Sequence, residues 1–202
     1  VHRDTLVRRY EAGAMVCARG APSAWWIGVI EGMLKVENSS PGGKSATLTG
    51  VPAGAWIGEG AVIKGELRPY DLVALQDSLV ALVPAATFHW LMSECRPFSV
   101  WLIHQLNARL GHFIALVQSL RLNDTTAQVA YCLASLFNRD LYPGTTPQLA
   151  ISQEEIGRLS GVSRQIANRA LHEMQDRGII RIGYGSIEVL DLAALQEIAS
   201  GA

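Results

Sequence analysis

Apolar and polar positions follow three different rhythms along the chain. From Arg9 to about Ala86 the apolar residues come in short runs, WWIGVI, MLKV, SATLTGV and DLVAL. Corners rich in glycine and proline separate them: Glu31-Gly32, Pro41-Gly42-Gly43-Lys44, Pro52-Ala53-Gly54 and Gly58-Glu59-Gly60. Many short strands with such turns at near-regular spacing predict a jelly roll or barrel. Pro41 to Lys44 is the expected tip of a hairpin.

The second rhythm is helical. Thr87 to Met92 reads as a short helix, and Pro97, suited to a first helical turn, opens a long one that runs to about Leu122. Along it Ile103, Leu106, Leu110, Phe113, Val117 and Leu120 recur at intervals of 3, 4, 3, 4 and 3. That is a heptad seam, the pattern of two helices packed side by side. Trp101, Leu102, Ile114 and Leu116 form a second stripe, available to pack on the strands. One stripe for the chain's own core and one for a second subunit predicts a dimer. Packing of the seam on the β-domain is the alternative.

Asp124 is a good N-cap, so a new helix is expected from Thr125 to Asn138, with Leu122–Asp124 as boundary and hinge. A loop with two prolines and a glycine, LYPGTTPQLAI, then leads to Ser152.

The third rhythm occupies Ser152 to Gly178. Ser152 and Glu155 have the spacing of a capping box. Ile156 and Leu159 give a short apolar stripe that Gly161 ends. Ser163 can cap the next helix, whose buried face is Ile166, Ala170, Leu171 and Met174; Arg177 and Gly178 finish it. Its exposed face starts with Arg164, Gln165, Asn168 and Arg169. Arginine can grip guanine, and glutamine or asparagine adenine, through paired hydrogen bonds in the major groove. A solvated helical hairpin would show the same spacing. The following stretch IIRIGYGSIEVLDL alternates around Tyr184-Gly185-Ser186 as a β-hairpin would, and a hairpin there makes a winged helix-turn-helix.

Composition narrows the function classes. The 202 residues carry a formal net charge of −1, and 49% are hydrophobic, yet no run is long and uncharged enough to cross a bilayer. No secretory leader is legible, although the chain opens on Val1. Cys17, Cys95 and Cys132 are scattered and lack a CxxC spacing, which fits a reducing cytoplasm and argues against zinc or an iron–sulfur cluster. After Leu122 six arginines and no lysine face nine acidic residues, a net of −3. A non-specific polyelectrolyte binder would be basic. DNA binding must therefore rest on clustered arginines and on base contacts. His2, His89, His104, His112 and His172 do not cluster, and the roll has essentially no histidine, which disfavours a jelly-roll metal enzyme. No GxSxG, P-loop or GxGxxG is present. No metal is expected, and the chain does not read as an enzyme.

Strands, long helix and winged helix-turn-helix in this order resemble the Crp/Fnr superfamily of bacterial transcription regulators. The likeness is strongest at ISQEEIGRLSGVSRQIANRALHEMQDRGII, its wing and Asp124, and extends to Gly58-Glu59 and Arg68. It implies an α+β chain: a cyclic-nucleotide-binding-like β-roll over 1–96, a dimerisation helix over 97–122 and a DNA-binding winged helix-turn-helix over 123–202. It also implies a homodimer on a two-fold symmetric operator of double-stranded DNA, with RNA polymerase as a partner and no membrane. By position, Arg164, Gln165, Asn168 and Arg169 fall where the family reads bases. Ser152, Gln153 and Ser163 fall where it holds phosphates, and helix starts suit anions for their own reasons.

The implied effector site is Gly58, Glu59, Arg68 and Phe113. It departs from the cyclic-nucleotide pattern, because Pro69 stands where a hydroxyl residue follows the arginine and removes a backbone donor. Phe113 and Ile114 cannot hydrogen-bond a purine. The expectation is either a Glu59–Arg68 ion pair closing the roll or an unidentified small-molecule effector other than cyclic AMP.

Overall fold

The computed structural model describes residues 3–39, 45–121 and 124–201. The chain divides into two compact units: residues 1–109 with 140–144, and residues 110–139 with 145–202.

The first unit holds β1 (Leu6–Tyr10), β2 (Met15–Cys17), β3 (Trp25–Glu31), β4 (Met33–Ser39), β5 (Ser45–Pro52), β6 (Trp56–Ile57), α1 (Glu59–Lys64), β7 (Asp71–Ala74), β8 (Ser78–Pro84) and α2 (Ala85–Glu94). The strands form two four-stranded antiparallel sheets, in the orders β1-β8-β3-β6 and β2-β7-β4-β5. Side chains alternate across a strand, and here both faces of β3 are covered, so its apolar run is unbroken. Ile27 and Val29 join Leu34, Val36, Leu72, Val80 and Leu82 in the core of the roll. Trp26 points the other way, into a cluster with Val62, Val83, Phe88 and Leu102. Gly32, between β3 and β4, has φ 86°, and a Cβ there would sit 2.5 Å from the Asp77 carbonyl oxygen, so only glycine fits this corner. Ser39 pairs with Ser45 across the β4–β5 hairpin, while the expected tip at Pro41–Lys44 lies outside the described residues. The glycine corner expected at 58–60 is instead the start of α1, with Gly58 as its left-handed N-cap.

The long helix α3 (Arg96–Arg121) is inverted in its polarity. Its covered face runs Leu102, Gln105, Arg109, His112, Leu116 and Ser119, one position ahead of the seam and with the same heptad spacing. That face is largely polar. The apolar seam is exposed along its whole length, Ile103 at 65% and Leu110 at 59%. The expected packing stripe is therefore corrected. Leu102 is buried and Leu116 half-buried, but Trp101 and Ile114 are exposed, because the covered face includes hydrogen-bonding residues that an apolar count skips.

The second unit contains α4 (Thr125–Ser135), β9 (Gln148–Leu149), α5 (Gln153–Ser160), α6 (Arg164–Asp176), β10 (Ile180–Gly183), β11 (Ser186–Val189) and α7 (Leu192–Ser200). Asp124 caps α4 by accepting from the amides of Thr126 and Ala127 at 2.9 and 3.1 Å. The helix stops three residues short of the expected Asn138. Leu122 and Asn123, the other residues of the expected hinge, lie outside the described residues. Val129, Leu133, Ile156, Ala167, Leu171, Met174, Ile180, Ile187 and Leu195 are buried as the core of this unit. β9 adds an antiparallel third strand to the β10–β11 hairpin, pairing Leu149 with Ile187. Neither β9 nor α7 is legible in the apolar pattern.

Candidate DNA-reading surface and roll interior

The helix-turn-helix is built by its caps. The Ser152 hydroxyl accepts from the Glu155 amide at 3.1 Å, Gly161 ends α5 at φ 70°, and the Ser163 hydroxyl accepts from the Ile166 amide at 3.3 Å. Each cap satisfies a terminal group that the helix itself cannot. The two helices meet closely at Gly157, where a Cβ would lie 3.3 Å from that of Ala167. Ala167, Ala170, Leu171 and Met174 turn one face of α6 inward. Arg164, Gln165 and Arg169 are left exposed, and neither arginine is held in an ion pair among the described residues.

Asn168 sits differently from its three neighbours. It is half-buried, and its Oδ1 is shielded without a hydrogen-bond partner. Ser152 and Ser163 are exposed at the helix starts, with Gln153 half-buried beside Ser152. Ser152, Gln153 and Arg164 line one concavity of about 320 Å³ with Gly183, Tyr184, Gly185 and Ser186 of the wing. Tyr184, fully exposed at the tip of a two-residue turn, belongs to this surface and was not singled out from the sequence. Its signal was present: an aromatic residue at a hairpin tip has nothing of its own chain to pack on.

The interior of the roll is also rearranged from expectation. Glu59 is 5% exposed, and its Oε1 lies 3.3 Å from Nε of Arg109, on α3, not from Arg68. The expected Glu59–Arg68 pair is corrected to Glu59–Arg109. Arg68 is 3% exposed and gives its guanidinium to backbone carbonyls, those of Gly58 at 3.2 Å and of Trp25. It packs so closely over Gly58 that any side chain there would strike it. Arg109 also donates to the Trp56 carbonyl at 2.9 Å.

The Glu59–Arg109 contact is an ion pair without hydrogen-bond alignment. Arg109 Nε and Glu59 Oε2 both remain buried without a hydrogen-bond partner. Burial raises the Tyr70 phenol to about 12, with Glu59 adding to the rise and the two arginines opposing it. Burial raises Tyr142 as well, against Arg109 and a hydrogen bond with Thr49, and Glu59 again adds to the rise. Phe113, expected at this site, falls in the other compact unit and is exposed. Arg109 could have been found from the sequence as the one cation on the heptad face preceding the seam. Tyr142 carried no such signal.

Two family models match, a cyclic nucleotide-binding domain over residues 7–95 and a Crp-like helix-turn-helix domain over residues 127–198. The Cyclic AMP receptor protein of Thermus thermophilus is 27% identical over 86% of this chain and 78% of its own length. The transcriptional regulator SdrP of the same organism is 25% identical over 98% of this chain and 95% of its own. The structure of FixK2 from Bradyrhizobium japonicum covers 98% of both chains with a TM-score of 0.81 at 17% identity, a likeness of fold. The chain belongs to the Crp/Fnr-type regulators. It is a DNA-binding transcription regulator with a cyclic-nucleotide-binding-type roll.

Among the described residues no group of three or more His, Cys, Asp or Glu could hold a metal ion, and no helix is long and apolar enough to cross a membrane.

Proposed function

We propose that the chain works as a homodimer that reads an inverted-repeat operator, with RNA polymerase as its downstream partner. The observation that carries this reading is the capped helix α6, which presents Arg164, Gln165 and Arg169 to solvent beside the wing. Arg164, Gln165 and Arg169 are the base readers, with Asn168 at the margin of that surface. Ser152, Gln153 and Ser163 hold phosphates at the starts of α5 and α6, where helix amides favour an anion. The exposed seam of α3, from Ile103 to Leu120, is the dimer interface. An apolar stripe of this length left in water favours pairing with its two-fold copy.

The roll does not take cyclic AMP in this reading. Arg68 is committed to backbone carbonyls, Pro69 offers neither hydroxyl nor amide, and Glu59 already faces Arg109. Leaving a ligand's polar group unpaired costs about 1–3 kcal/mol. Two such losses weaken binding by roughly one to four orders of magnitude, since about 1.4 kcal/mol is tenfold. A different small-molecule effector at Glu59 and Arg109 fits the two unpartnered atoms there. The internal ion pair also favours a second reading, a regulator that needs no effector.

Selection of bound DNA from a random pool, followed by gel shifts with and without cyclic AMP, tests both points. The expected result is a palindromic motif whose affinity cyclic AMP leaves unchanged. Micromolar cyclic AMP binding that strengthens DNA binding overturns the roll assignment, and failure to enrich any motif overturns the operator assignment.

A further inference from the structure

Residues 140–144 stand between α4 and α5 in sequence, among elements of the second unit, yet they belong to the first. Leu141 and Tyr142 are 2% and 5% exposed and are members of the roll's own core, beside Val36, Val51, Leu72 and Leu82. Three independent contacts hold this segment. Gln105 Nε2 donates to the Asp140 carbonyl at 2.5 Å. Tyr142 packs among the apolar side chains of the roll core. Gly144 and Gly54 meet backbone to backbone: a Cβ on Gly54 would lie 2.7 Å from the Gly144 nitrogen, and one on Gly144 2.8 Å from the Ala53 carbonyl oxygen.

Tyr142 carries a phenol into an otherwise apolar core. Taking a phenol out of water is costly, and the burial of its aromatic ring must offset that cost. The segment's flanks, Arg139 and Thr145, both belong to the second unit. Three residues after Thr145 the chain enters β9, the strand that pairs with wing strand β11.

We propose that residues 140–144 are a strap that seats Leu141 and Tyr142 in the core of the roll, and that vacating this seat changes how the second unit binds DNA. This rests on the DNA-binding reading above.

The test uses the full chain and its selected operator, with no ligand added. Tyr142→Ala and the double variant Leu141→Ala/Tyr142→Ala empty the seat. Gln105→Ala and Tyr142→Phe loosen it without removing the core packing, and serve if the larger changes prevent folding. Amide hydrogen exchange over residues 140–146 reports release, and gel shift reports the operator dissociation constant. The expected result is faster exchange together with at least a fivefold change in the dissociation constant. Tighter binding means that the seated strap restrains the reading unit; weaker binding means that it holds that unit in register. Faster exchange with a dissociation constant changed less than fivefold overturns the proposal, as does exchange that no variant alters. Failure of the DNA-binding reading looks different, because wild type and variants alike would then bind no selected DNA.

Discussion

The helices α3 and α6 carry the same two kinds of residue on opposite sides. In α6 the apolar residues Ala167, Ala170, Leu171 and Met174 are inside, and Arg164, Gln165 and Arg169 face water. In α3 the covered face carries Gln105, Arg109, His112 and Ser119, and the exposed one carries Ile103, Leu106, Leu110, Phe113, Val117 and Leu120. The hydrophobic effect orders α6 by itself, since each buried methylene contributes about 0.8 kcal/mol. The covered face of α3 depends instead on specific partners. Gln105 reaches the Asp140 carbonyl, Arg109 reaches Glu59 and Trp56, and Tyr131 donates to the His112 carbonyl at 2.6 Å. One helix is finished within its own chain and leaves its exposed groups free for DNA. The other leaves unfinished the apolar surface that a second copy can cover.

That contrast breaks most sharply at Leu110. Leu110→Glu puts a charge into the proposed seam, where burial without a partner costs several kcal/mol per site. Analytical ultracentrifugation of the variant is expected to show monomers. A dimer of wild-type strength would move the interface off α3.

On α6 the expected effects are smaller, because its groups act one base pair at a time. Gln165→Ala should relax preference at one symmetric base pair by about 1–3 kcal/mol. Repeating the selection with the variant checks this, and an identical motif would remove Gln165 from the base readers.

The mildest change is at the cap. Ser163→Ala removes the acceptor for the Ile166 amide, at a cost of about 1 kcal/mol in helix stability. It should weaken all sequences alike, measured as a parallel loss on operator and random DNA. A loss confined to the operator would make Ser163 a specificity residue.

Local chemistry made the second unit readable in advance. Ser152, Gly161, Ser163 and Asp124 act at the positions where helix-capping rules place them, because a cap depends on residues within about one turn. The exposed seam was legible for the same reason, as periodicity survives whether or not a partner is present. β9 was not legible, since a two-residue strand exists only because β11 offers it a ladder. Asn168 shares the spacing of the base readers, but its exposure depends on how α6 settles against its neighbours.

The sequence by itself determined the order of strands, long helix and winged helix-turn-helix, together with the face that α6 shows to solvent. Those follow from periodicity and capping, which act over a few residues. Only the tertiary structure decided who meets whom inside the roll. Glu59 lies nine residues before Arg68 but fifty before Arg109, and it is Arg109 that it faces. Tyr142 reaches the same interior from a loop that sequence reading assigns to the DNA-binding half. Long-range partners of this kind are chosen by whole-fold packing, which places buried polar groups beside whatever the closed sheets bring near.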